Sequence, residues 1–144
     1  AGIVGLVALS SGCGQKTDSG ATSQAVSEQA DTKENARILA KSVICSSLTK
    51  AAVYGHDANW GRVAAALGRS GARFNQEDVD IDILGLPVCR AGLVVDFDEE
   101  EALRRFEEPE VAIEVDLHAG EESATMWTCD FSHEYVTING DYRS

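Results

Sequence analysis

Apolar residues change their spacing several times along the chain, and each change marks an element. Residues 1–13 are small and apolar and end in Ser-Gly-Cys. Residues 14–31 are polar with few large apolar side chains, which predicts a flexible linker. Residues 1–31 are therefore read as an apolar start plus linker, disordered or foreign to the domain, and the folded unit is expected over 32–144. Ala36, Leu39, Ala40, Val43 and Ile44 recur at helical spacing, with Thr32 as N-cap and Glu34 in the first turn. Residues 48–54 are apolar and β-branched enough to read as a strand. A turn over 56–59 leads to a second helix over 60–67, ended by Gly68 and Gly71. Residues 79–83 alternate strictly and predict a half-buried strand; 88–95 predict another, interrupted at 90–92. Asp98 is expected to cap a short acidic helix with Ala102, Leu103 and Phe106 inward. Residues 111–117 alternate again, with Val111, Ile113, Val115 and Leu117 on one face. A strand over 123–131 and a helix capped by Ser132 close the chain. The order α-β-α-β-β-α-β-β-α predicts an α/β (layered α+β) class, with a mixed or antiparallel sheet and helices packed on it.

Composition narrows the partners. The 144 residues suit one domain, and 44% of them are apolar, enough for an ordinary core. The formal net charge of −12 argues against nucleic acid and against anionic membrane surfaces, which both need clustered Lys and Arg. Residues 1–72 carry 5 Asp and Glu, and 73–144 carry 19, so the acidity concentrates in the second half as a solvated, solubilising face. Cys13, Cys45, Cys89 and Cys129 form no C-x-x-C or Cys-His spacing, so no metal site is expected. Cys45 and Cys129 sit in apolar patterns and read as buried free thiols, which fits a reducing, cytoplasmic compartment. The first 13 residues are too short to span a bilayer as a helix. They resemble the tail of a lipoprotein signal, so membrane anchoring through Cys13 is the alternative localisation.

Little in the pattern alone points to chemistry. His56, His118 and His133 are scattered and read as solvated. No G-x-S-x-G elbow and no phosphate loop is present. One stretch stands out: Asn59-Trp60-Gly61-Arg62 places a large ring and a guanidinium at a helix start, where free N–H groups attract anions and Arg clamps carboxylates. The alternative is that Trp60 anchors the helix to the core while Arg62 pairs with the acidic half.

At this same stretch the chain resembles a known family. Ala40-Lys41-Ser42, then Lys50 to Asn59-Trp60-Gly61-Arg62-Val63, and Trp127-Thr128-Cys129-Asp130-Phe131 followed by Tyr135-Val136-Thr137-Ile138-Asn139 through Ser144, are similar to ordered motifs of the bifunctional ornithine acetyltransferase, or glutamate N-acetyltransferase, family of arginine biosynthesis. The resemblance covers about residues 32–144. It implies the small C-terminal domain of a self-cleaving enzyme, whose precursor cuts itself before a Thr that becomes the N-terminal nucleophile of the second chain. That Thr takes acetyl from N-acetylornithine as an ester and passes it to glutamate; an oxyanion hole on the first chain stabilises the intermediate. No cofactor is implied, although some members also accept acetyl-CoA as donor. The implied partners are the small-molecule substrates, the first chain and the N-terminal part of the second, in an oligomer of two-chain units. Carried over residue by residue, the substrate-binding positions fall on Asn139 and Ser144, with Asn59, Trp60 and Arg62 as supporting residues. The upstream family Glu would fall on Ser19, so that site is not carried over. Residues matching the nucleophile, cleavage site and oxyanion hole are not found in these 144 residues, so the chain alone is expected to be inactive. The alternative is a non-enzymatic binding or assembly domain.

Overall fold

The computed structural model describes residues 22–142. The apolar start with Cys13, Ser19, and the terminal Ser144 lie outside the described residues. Helix α1 (Lys33–Ile44) begins where Thr32 accepts the Asn35 N–H, and it buries Ala36, Leu39, Ala40 and Val43. Full burial of Leu39 and Val43 contributes about 2 kcal/mol each. Helix α2 (Ser47–Tyr54) follows at once, capped by Ser46, and α3 (Trp60–Gly68) starts at the Asn59 cap. Ser42, within the recognised motif, donates its hydroxyl to the Ala66 carbonyl and ties α1 to α3.

The helices lie on a six-stranded mixed sheet. With β1 (Thr22–Ala30), β2 (Asp80–Ile83), β3 (Leu86–Arg90), β4 (Leu93–Val94), β5 (Val111–Asp116) and β6 (Glu122–Cys129), the strand order is β4-β3-β2-β5-β1-β6. Among the described residues only the β1–β5 pair is parallel, and the other pairings are antiparallel. Ile81, Ile83, Val111, Ile113 and Val115 are buried toward the helices, whereas Asp80, Asp82 and Glu114 alternate to the other face. Helix α4 (Glu99–Arg105) starts at Asp98, and α5 (His133–Asp141) at Ser132; each cap accepts the N–H three residues on.

The layered mixed sheet agrees with the expected class, but several local readings change. The expected linker over 14–31 holds strand β1, inserted between β5 and β6. Ladder bonds are made by the main chain, so a strand flanked on both sides needs no large apolar side chains of its own. Its last residue, Ala30, is buried. Residues 47–54 form a helix and not a strand: Ser46 accepts the Thr49 N–H, and Thr49, Ala52 and Val53 bury at spacings of three and four. Leu103 faces solvent, because on the short α4 only Ala102 and Phe106, one turn apart, reach the core. Cys45 and Cys129 are exposed. The first follows the last inward residue of α1, and the second sits on the outward side of edge strand β6. Cys89 is the buried thiol, and it donates to the Val79 carbonyl.

Candidate functional site

The residues singled out in sequence occupy two places joined by α2. At the start of α3, Asn59 Oδ1 accepts the Arg62 N–H at 3.1 Å and its amide donates to Asp57 at 3.0 Å. One free N–H of the helix end is thereby used by the cap itself. Trp60 is half-buried against the core and walls a cavity of about 120 Å³ with Leu67, Phe74, Val79, Ile81 and Cys89. Its ring packs against the core. Arg62 does not join the acidic half; Nη1 donates to the Leu48 carbonyl in the first turn of α2, at 3.0 Å.

The other flank of α2 holds the C-terminal segment. Lys50 Nζ lies 5.1 Å over the Phe131 ring, and Tyr54 meets His133 edge-on at 5.2 Å. Phe131 in turn stacks on Tyr135 at 5.2 Å. These contacts orient α5 by its first turn. Beyond that turn α5 is uncovered: none of its residues is buried, and Tyr135, Val136 and Ile138 are each at least half exposed. Asn139 lies on this helix, exposed, with its amide donating to the Tyr135 carbonyl at 2.8 Å. That leaves its Oδ1 as an outward acceptor among the described residues.

Sequence reading passed over two features. The first is a cleft of about 270 Å³ where the end of α1, the start of α2 and one side of α3 meet, with Arg62 and Arg69 on its wall. Reading 48–54 as a strand conceals the helix start that forms its floor. The second is an ionic cluster on the open face of the sheet. His118 Nε2 lies 3.0 Å from Asp80, its Nδ1 is 3.6 Å from Asp116, and Arg90 pairs with Asp80 and Asp82. Asp82 also faces Glu114 across the β2–β5 ladder, and burial followed by that neighbouring charge raises the Glu114 carboxyl. The three histidines are thus not simply solvated; His56 stacks on Phe106, at 5.6 Å between ring centroids.

The cluster makes a pH prediction. The hydrogen bond that His118 donates to Asp80 chiefly raises the His118 pKa from 6.5. For Asp80, burial raises the carboxyl, but the Ala91 N–H, His118 and Arg90 together outweigh it and lower the pKa from 3.8. A raised His stabilises the fold fully below its unfolded pKa and loses that contribution as pH rises through the folded value. A lowered Asp does the reverse, losing its contribution as pH falls through the folded value. The pair is therefore worth most between about pH 4 and 6.5. His118→Asn keeps the left-handed backbone that His118 adopts at φ 49°. It should cost less than about 1 kcal/mol in that window, because the pair is partly exposed. The cost should shrink as pH rises above 6.5 and through the raised folded value, as the imidazolium is lost. Urea melts across pH measure it; a cost that does not vary with pH would show that the ion pair is not its source.

Comparison with known proteins places this arrangement. The model of the ArgJ family matches residues 18–144. The arginine biosynthesis bifunctional protein ArgJ of Chlorobium chlorochromatii is 48% identical over 111 residues, 77% of this chain and 26% of that protein. The protein of the same name from Symbiobacterium thermophilum is 53% identical over 115 residues, 80% of this chain and 29% of the relative. The crystal structure of the arginine biosynthesis bifunctional protein ArgJ from Bacillus halodurans superposes with a TM-score of 0.77 at 39% identity, covering 81% of this chain and 55% of that one. The chain thus spans between a quarter and a third of the length of these two curated relatives.

Proposed function

The chain belongs to the ArgJ family, and on that premise we propose that it is the C-terminal portion of an ornithine acetyltransferase, which moves acetyl from N-acetylornithine to glutamate in arginine biosynthesis. In this reading its own part is to complete the substrate pocket. Asn139 offers an amide, and Ser144 a hydroxyl, to the charged groups of an amino-acid substrate. The nucleophilic Thr and the oxyanion hole come from the rest of the protein, and Asn59, Trp60 and Arg62 hold α3 and α2 in place behind the pocket.

The observation that carries the proposal is the state of α5. It is docked by its first turn and otherwise bare, with Tyr135, Val136 and Ile138 exposed around Asn139. Apolar side chains clustered on one helix are the mark of a surface that meets another part of a protein. No helix among the described residues is long and apolar enough to cross a membrane. In this reading the protein acts in the cytoplasm, within an assembly of two-chain units.

Replacing the matching C-terminal segment of the Bacillus halodurans protein with this chain tests the reading, using N-acetylornithine and, separately, acetyl-CoA as donors with glutamate as acceptor. The chimera should turn over, and the 144-residue chain alone should not, since it brings no activated nucleophile. Asn139→Ala in the chimera should lower kcat/KM by about 10- to 100-fold, or roughly 1–3 kcal/mol, with the melting temperature nearly unchanged. Turnover by the isolated chain, or normal kinetics for the Asn139 variant, would refute the assignment. A folded but inactive chimera would leave a binding or assembly domain instead.

A further inference from the structure

The helical layer differs in charge from the rest of the chain. Between residues 32 and 72, Lys33, Arg37, Lys41, Lys50, Arg62 and Arg69 stand against only Glu34 and Asp57, in a chain of net charge −12. Two of these cations converge on the 270 Å³ cleft, whose lining contains no carboxylate. Among the described residues Arg90 pairs with Asp80 and Asp82, and Arg104 and Arg105 both pair with Glu101, whereas Arg37 and Arg73 have no carboxylate partner. Arg62 and Arg69 have no carboxylate partner among the described residues.

The helix start in the cleft adds to this imbalance. The first turns of α1, α4 and α5 carry acidic residues that offset the positive end of the helix dipole; the first turns of α2 and α3 have none. Instead, Arg62 donates to Leu48 O and so brings a guanidinium to that positive end. Ser46 takes the Thr49 N–H, which leaves the N–H groups of Ser47 and Leu48 without an intrahelical acceptor. Two cations and a helix N-terminus share one concavity with no internal counter-charge, and a bound anion is the group that relieves such convergence.

The class of anion follows from the donors. Two guanidiniums present forked N–H groups suited to several oxygens of a tetrahedral anion, and each bidentate contact adds geometric specificity. The cleft exceeds the volume of a bare oxyanion, and Leu48, Ala65 and Ala66 give it an apolar wall for attached carbon. We infer that this cleft binds the phosphate group of a small organic phosphate ester. The inference is independent of the acetyl-transfer reading.

Titration of the 144-residue chain at 0.15 M salt, followed by amide and arginine Nε–H NMR shifts, tests it with inorganic phosphate, glycerol phosphate and acetate. Phosphate and glycerol phosphate should shift the signals of residues 46–49, Arg62 and Arg69, with glycerol phosphate tighter. Arg69→Gln, whose side chain is exposed, should weaken both at least 10-fold without disturbing the fold. Arg62→Gln should also weaken both, with the loss of its bond to Leu48 O read separately as a lower melting temperature, and Arg37→Gln, outside the cleft, should change neither. Acetate binding as tight as phosphate, shifts spread over the whole basic layer, or equal weakening by Arg37→Gln would each overturn the inference. So would the absence of shifts at the cleft.

Discussion

Deleting residues 1–31 is expected to abolish cooperative folding of the chain. Strand β1 runs parallel to β5 from Ser23↔Val111 to Glu28↔Asp116 and antiparallel to β6 from Thr22↔Cys129 onward. Without it, β6 loses its ladder partner, β5 gains an open edge, and α1 loses part of the surface it packs on. Unpaired main-chain groups at a buried position are costly, and a sheet cut in this way exposes an aggregation-prone edge. Ala30 and Gly120 show how closely the end of β1 is held: a Cβ on Gly120 would meet Ala30 O at 2.5 Å. The combined loss should exceed about 5 kcal/mol, the lower end of the stability of an ordinary domain. Circular-dichroism melts of the full chain, of a chain lacking residues 1–31, and of one lacking only 1–17 make the comparison. The deletion of 1–17, which precedes the family match, should still melt cooperatively. A cooperative melt at the full-chain temperature after removal of 1–31 would restore the linker reading.

Gly92→Ala should lose at least about 3 kcal/mol, placing it among the most damaging single substitutions in the chain. Gly92 sits in the β3–β4 turn at φ 71°, where an L side chain costs about 1–2 kcal/mol by itself. The added Cβ would also strike the main-chain carbonyl of Gln76, in the 3₁₀ turn Gln76–Asp78 that crosses this hairpin. Backbone cannot swing aside as a side-chain tip can, and Gly92 N–H is meanwhile held by Val79 O at 2.8 Å. Gly85 is the internal control: it has the same φ of 71°, but its nearest neighbour is the tip of Arg105 at 3.5 Å. Gly85→Ala should therefore lose only the conformational part, about 1–2 kcal/mol. Urea denaturation of the two variants isolates the collision with Gln76; equal losses would mean that the 76–78 turn yields freely. Because Gln76 and Gly92 both line the cavity beside Trp60, a yielding turn should also alter Trp60 fluorescence.

The motifs single out Asn59, Trp60, Arg62 and Asn139 in sequence, but not what each touches. Arg62 does not pair with the acidic half, because α2 brings a carbonyl within its reach. Arg69, Ser46 and Ser47 went unremarked, since their relevance depends on three helix ends meeting in space. His118 looked solvated because Asp80 is 38 residues away in sequence.

The sequence by itself determined what depends on neighbours within one helical turn or one strand pleat. Thr32, Asp98 and Ser132 cap helices as read, since each cap needs only the N–H three residues on. The alternation at Ile81 and Ile83, and from Val111 to Val115, set which face of the sheet is buried. Only the tertiary structure decided that the polar residues 22–30 form an inner strand, because the bonds that hold them belong to the main chains of β5 and β6 and leave no mark on side-chain hydrophobicity. It also decided that residues 47–54 are a helix, because a short apolar run fits either period until the packed neighbours select one. Cys45 and Cys129 came out exposed for a related reason. Apolar neighbours in sequence do not say which side of a helix end or an edge strand faces water; the layer packed against it does.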